Sequence, residues 1–165
     1  MKKTLLALAL IGVSATASAD ALIYGGASAG QSTLGGETSS SYNVHVGTGI
    51  LPFIALEAGY QNFGEFKNTT YDNVKRDLEA SAVYFAVKPS MDFGPLHVYG
   101  KAGLHSYELK DKNSDFNEDE IDMTYGVGAE YSVMGPVTLG VSYNVFSMKK
   151  ENVENFSLNA TFHFL

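Results

Sequence analysis

The chain has 165 residues, with 18 acidic against 11 basic side chains for a net charge of −7, and it contains 17 Gly, 10 Tyr and 10 Phe but no Cys and no Trp. That length suits a single domain, and the acidic balance argues against nucleic acid as a partner. The lack of Cys excludes both a disulfide framework and a lipid-anchored lipoprotein.

The first 19 residues, MKKTLLALALIGVSATASA, have two lysines, an apolar run from Leu5 to Val13 and small residues at the end. This is the three-part pattern of a secretory signal peptide, with cleavage expected between Ala19 and Asp20. The apolar run is far shorter than the roughly 20 residues of a membrane-spanning helix. Cleavage would leave residues 20–165 as one domain and take the net charge from −7 to −9, since Lys2 and Lys3 go with the leader.

Two-residue alternation dominates the remainder, and no long segment keeps a 3.6-residue apolar period. The pattern predicts eight strands. The first, at residues 22–30, is Gly-rich and poorly patterned. The second, at 42–50, sets Tyr42, Val44, Val46, Thr48 and Ile50 against Asn43, His45, Gly47 and Gly49. After Leu51-Pro52, the third, at 53–61, sets Ile54, Leu56, Ala58 and Tyr60 against Glu57, Gly59 and Gln61. The fourth, at 79–88, has an ambiguous apolar face, taken as Val83, Phe85 and Val87.

The fifth strand, at 96–107, sets Leu96, Val98, Gly100, Ala102 and Leu104 against His97, Tyr99, Lys101, Gly103 and His105. The sixth, at 122–133, sets Met123, Tyr125, Val127, Ala129 and Tyr131 against Thr124, Gly126, Gly128 and Glu130. The seventh, at 137–146, sets Val137, Leu139, Val141, Tyr143 and Val145 against Thr138, Gly140, Ser142 and Asn144. The eighth, at 156–165, alternates Phe156, Leu158, Ala160, Phe162 and Phe164 with small polar residues. Short turns follow strands two, four and six. Longer loops are expected at 31–41, 62–78, 108–121 and 147–155.

Eight such strands can close into a barrel whose interior is just filled by side chains. The polar faces carry Gly, Ser, Thr, Asn and His with few charges, whereas water-facing strands show many Lys and Glu. Small polar residues therefore suit a narrow interior and the apolar faces suit lipid, the arrangement of an outer-membrane barrel. A soluble periplasmic barrel, with the faces reversed, is the alternative.

The segments Leu56-Glu57-Ala58-Gly59-Tyr60, Val98-Tyr99-Gly100-Lys101-Ala102-Gly103, Gly126-Val127-Gly128-Ala129-Glu130-Tyr131 and Val141-Ser142-Tyr143 give the chain a family resemblance. It resembles the eight-stranded outer-membrane barrels that include the transmembrane domain of outer membrane protein A. The resemblance implies an all-β, eight-stranded antiparallel up-and-down transmembrane β-barrel in the bacterial outer membrane. It implies a monomer among outer-membrane lipid and lipopolysaccharide, with no cofactor, no catalysis and four extracellular loops able to meet a host or environmental surface ligand. It also implies that the last strand is read by the outer-membrane assembly machinery through Phe156, Leu158, Phe162 and Phe164. The family usually ends on an aromatic residue; here Leu165 follows Phe164.

Glu57, Lys101 and Glu130 have inward parity, and the resemblance implies a charged interior network there. A family arginine on strand seven is replaced by Gly140, and Lys88 is a candidate substitute. Such a network either gates a narrow channel or merely compensates buried charge. His45, His97, His105 and His163 share inward parity, but His97 and His105 lie about 26 Å apart along one strand. Polar filling accounts for them better than a metal site does. Asp111 to Asp122 matches a calcium-loop template at several positions, although Phe116 stands where Gly is required and Asp122 where Glu is. No His-x-Ser-Asn stretch supports a lipid-A deacylase, so a lipid-A-modifying enzyme is a weak alternative.

Overall fold

The computed structural model describes residues 23–71, 74–111 and 117–164. The signal-peptide region and its junction at Ala19 and Asp20 lie outside the described residues, as does Leu165. Eight strands run β1 (Ile23–Leu34), β2 (Glu37–Leu51), β3 (Ile54–Tyr71), β4 (Val74–Phe93), β5 (Leu96–Asp111), β6 (Asn117–Met134), β7 (Val137–Phe146) and β8 (Val153–Phe164). Each pairs antiparallel with its sequence neighbours, and β1 closes on β8. The closing ladder runs from Ile23↔Phe164 to Thr33↔Glu154, so closure satisfies the backbone groups of both terminal strands.

Alternation places large apolar side chains outside. Val44, Val83, Phe85, Leu104, Val127 and Leu158 are each more than half exposed to the surroundings. This settles β4: Val83, Phe85 and Val87 face outward. On β8 the outward row from Phe156 to Phe164 spans about 26 Å along the strand. A tilt of about 40° reduces that to about 20 Å, close to the expected lipid-facing band. Aromatic residues rim it: Tyr42 and Tyr60, with ring centroids 6.4 Å apart, near one edge, and Phe162 and Phe164, 4.8 Å apart, near the other.

The two ends differ. At one, Pro52-Phe53, Gly94-Pro95 and Gly135-Pro136 form two-residue turns. Gly94 and Gly135 take φ of 65° and 53° there, the left-handed region that L side chains rarely adopt. At the other end three of the four segments expected to be loops are largely strand, whereas 147–152 is a loop between β7 and β8. β1 and β2 meet at Gly35-Gly36, and β3 and β4 pair out to Tyr71↔Val74. The β5–β6 ladder extends to Lys110↔Asn117. These stretches lack apolar alternation because they stand beyond the band, where neither face meets lipid.

That end is also uneven. The β2–β3 ladder stops at Tyr42↔Asn62, and the β6–β7 ladder starts only at Thr124↔Phe146. Strands β3 to β6 thus form a wall rising above the shorter β7-β8-β1-β2 side. The acidic segment proposed for calcium belongs partly to this wall: residues 112–116 lie outside the described residues, whereas from Asn117 the backbone is β6, paired with β5.

Candidate functional site

The barrel interior is the densest gathering of polar chemistry, and it is layered along the axis. In the middle layer Glu57 is buried on β3 and accepts from three donors. Tyr84 Oη donates to Oε1 at 2.9 Å, Tyr24 Oη to Oε2 at 3.1 Å and Lys101 Nζ to Oε1 at 3.2 Å. Glu130 on β6 accepts from Thr138 Oγ1 at 3.3 Å and Thr161 Oγ1 at 3.4 Å. Lys88 on β4 lies between the two carboxylates, 3.6 Å from Glu57 Oε2 and 3.6 Å from Glu130 Oε1. Its ammonium also stands over the rings of Tyr99 at 3.9 Å and Tyr24 at 4.9 Å, an arrangement that attracts a cation to the ring face.

The three residues singled out in the sequence are thus joined through a fourth, Lys88. The vacancy at Gly140 has a steric reason as well. A Cβ there would come within 2.3 Å of the Ala129 carbonyl oxygen and 2.6 Å of Glu130 Cγ. A cation reaching Glu130 must come from another strand, and β4 supplies it.

Three tyrosines of this layer use one packing device. Tyr24 pairs with Gly47, Tyr84 with Gly59 and Tyr99 with Gly128, each across one strand boundary. A Cβ on these glycines would lie 2.2 to 2.6 Å from the nearest ring or hydroxyl atom. The absent side chain lets each ring lie flat along the wall, with its hydroxyl in the lumen. A small void bordered by Asn43, His45, Gln61, Ser142, Asn144 and Asn159 adjoins the layer.

Toward the uneven end the interior holds a large apolar cluster beside the hydrogen-bonded Ser32, Ser41 and Asn155. Phe63, Phe66, Leu78, Leu109, Phe146 and Val153 are fully buried there with Leu34, Tyr107 and Met148. Phe63 and Phe146 meet edge-on at 4.8 Å. The bulge at Gly64, with φ of 83°, shifts the β3 register and lets both Phe63 and Phe66 face inward. Sequence patterning sets Tyr107 and Phe146 at the ends of strands five and seven and the others in loops, and so misses this apolar plug. The signal was present in the repeated aromatic residues of 62–66, but its register depends on the bulge.

Toward the turn end the inward positions are small: Gly49, Ala55, Ser90, Ser132 and Thr138. They leave an open vestibule of about 850 Å³. His97 and His163 line it, and His97 Nδ1 lies 2.5 Å from Asp92 Oδ1. The other two histidines are elsewhere: His45 beside Asn43 at 2.9 Å, and His105 between the rings of Tyr107 and Phe146. Among the described residues no group of three His, Cys, Asp or Glu side chains is placed to hold a metal.

With this geometry in view, comparisons place the chain among known proteins. The profile of the family described as outer membrane protein beta-barrel domain matches residues 4–164. No curated protein matches the chain by sequence. Among solved structures, the N-terminal β-barrel domain of Pseudomonas aeruginosa OprF is similar at a TM-score of 0.60 and 16% identity, covering 86% of this chain and 97% of that one. Neisserial surface protein A is similar at 0.59 and 15%, covering 87% and 97%. Ail, the attachment invasion locus protein of Yersinia pestis, solved with the heparin analogue sucrose octasulfate, is similar at 0.57 and 13%, covering 87% and 97%. At these identities the likeness is one of fold.

Proposed function

The chain belongs to the outer-membrane β-barrel family and the protein sits in the bacterial outer membrane, and on that premise we propose that it is a non-enzymatic surface protein. In this reading it acts as a monomer whose uneven end faces outward, carrying four connections toward the environment. What supports the reading is the β3–β6 wall. Its β6 rim, residues 117–122, lacks a β7 partner among the described residues, and the upper part of β3 lacks β2 pairing. Unpaired strand edges are ready-made templates for adding an extended segment of another chain.

Charge narrows the partner. Among the side chains described in 62–79 and 108–122, eight are acidic and two basic. A sulfated polyanion of the kind held by Ail suits that surface poorly. An extended, cationic stretch of protein suits it well. The assembly role of Phe156, Leu158, Phe162 and Phe164 belongs to the same proposal: it brings the barrel to the membrane in which the wall is displayed.

The test compares cells producing the full barrel with cells in which residues 67–76 are replaced by a tight Asn-Gly turn. Adhesion to an immobilised cationic matrix protein should fall several-fold with the short hairpin. Both proteins should still show the mobility change on boiling that marks a closed barrel. Equal adhesion by the two strains would remove the wall from the mechanism.

A further inference from the structure

The vestibule at the turn end has no role in surface display, yet its construction is specific. The other levels of the interior are occupied by aromatic, aliphatic, amide or charged side chains. Here Gly49, Ala55, Ser90, Ser132 and Thr138 present little more than backbone, and about 850 Å³ stays open. That volume lies in the range of small-molecule pockets.

Its charges are separated: Lys88 lies at the inner end and Asp92 near the turns. Of the four charged groups in the middle layer, only Lys88 lines the vestibule; Glu57, Lys101 and Glu130 do not. The carboxylates are engaged by other donors, Glu57 by Tyr24, Tyr84 and Lys101, and Glu130 by Thr138 and Thr161. The Lys88 ammonium has three N–H donors, yet both its carboxylate neighbours stand at 3.6 Å, beyond charge-assisted hydrogen-bond length. Among the described residues it has ion pairs and ring faces but no close acceptor. At the opening the cavity is bounded by the turn residues Pro52, Gly135 and Pro136, while the outward rows of Ile54, Phe162 and Phe164 pass it on the lipid side. Asp92, the acidic residue of the wall, is held against His97.

We infer that the vestibule binds a small organic anion, a carboxylate or phosphate monoester, whose head accepts hydrogen bonds from Lys88 Nζ at the inner end while its body occupies the open volume between Lys88 and the turns. Ser90, which also lines the cavity, supplies a hydroxyl for a remaining oxygen of the head. The inference is independent of the surface role, because it concerns the opposite end of the barrel. With the orientation proposed above, the ligand enters from the periplasmic side. A phosphate monoester could come from a soluble metabolite or from a lipid headgroup, and the experiment separates these sources.

The test uses the barrel refolded into phosphatidylcholine nanodiscs and titrated calorimetrically with phenyl phosphate, with benzyl alcohol as the neutral probe. Saturable one-to-one binding of phenyl phosphate with a dissociation constant on the order of 1 mM or below is expected, and at least tenfold weaker binding of benzyl alcohol. Lys88→Met should weaken the anion by at least tenfold. Ala55→Phe, which fills the cavity and leaves Lys88 in place, should abolish binding while the mobility change on boiling persists. Should Lys88→Met fail to fold, Ala55→Phe alone decides. Repeating the titration in nanodiscs containing phosphatidic acid, whose headgroup is a phosphate monoester, assigns the source: competition points to a lipid headgroup, and unchanged affinity points to a soluble anion, both with the site intact. The absence of saturable binding, or equal binding by the Ala55→Phe variant or by the neutral probe, would overturn the inference.

Discussion

Replacing Lys88 by Met keeps an unbranched side chain one atom shorter and removes its charge, which makes it a direct test of the interior layer. At 3.6 Å from each carboxylate, and with an effective dielectric constant near 20, each Lys88 pair is worth about 4–5 kcal/mol of gross attraction. Desolvation of three buried groups offsets much of this in the intact protein. In the variant the attraction is gone while the desolvation of Glu130 remains, because that carboxylate keeps only its two threonine donors and no cation. Removing one partner of a buried pair typically costs about 3–5 kcal/mol, and that loss is expected here. The chain has no Trp, so unfolding in guanidinium should be followed by circular dichroism of the barrel in lipid vesicles. Adding Glu130→Gln should recover part of the loss, since it removes the stranded charge and leaves the Glu57–Lys101 pair, at 3.2 Å, in place. A Lys88→Met loss below about 1 kcal/mol, or a Glu130→Gln step that only adds damage, would refute the view that these charges compensate one another.

Gly128→Ala would place a Cβ 2.4 Å from the Tyr99 ring; a stability loss of about 1–3 kcal/mol is expected in the same unfolding assay. Planar-bilayer recordings of the native barrel should show no sustained conductance, because the apolar plug fills the uneven end. Phe63→Ala with Phe146→Ala should lower stability by several kcal/mol, given about 3–5 kcal/mol for each large aromatic truncation, and should introduce conductance events; steady native conductance would contradict the plug. Phe162→Ser with Phe164→Ser should cut the amount of barrel assembled in cells while refolding of the purified chain in detergent changes little. Equal losses in both settings would make the row lipid-facing surface and nothing more.

Strand number, antiparallel order and the outward rows were legible because lipid imposes a strict two-residue period on whatever crosses it. β7 matched its expected limits to the residue, 137–146, since a proline-containing turn bounds its start and its alternation is uninterrupted. The upper reaches of β3, β4, β5 and β6 were not legible. Beyond the band both faces meet water or the apolar plug, so segments such as Thr69–Tyr71 carry no alternation to read. Glu57, Lys101 and Glu130 were found by parity alone. Lys88 stayed ambiguous because inward Ala80, Ala82, Tyr84 and Ala86 are as apolar as outward Val83, Phe85 and Val87; only the β3–β4 register, with Glu57 opposite Ala86, fixes its face.

The layering explains how so narrow a barrel carries four buried charges. Eight strands enclose too little space for a hydrated lumen along the full axis, so each level must be satisfied by its own side chains. Phe63, Phe66 and Phe146 close the uneven end with apolar packing that requires no hydrogen-bond partner. The charges sit below this seal, where three tyrosines lying over three glycines bring hydroxyls and ring faces to them. If the glycines carried side chains the rings could not lie along the wall, and Glu57 would lose two of its three hydrogen-bond donors. The small residues at the turn end then leave Lys88 facing open volume. The charged layer is therefore supported from above by the plug and open from below, and ions reaching it through the vestibule still meet the plug as the remaining barrier.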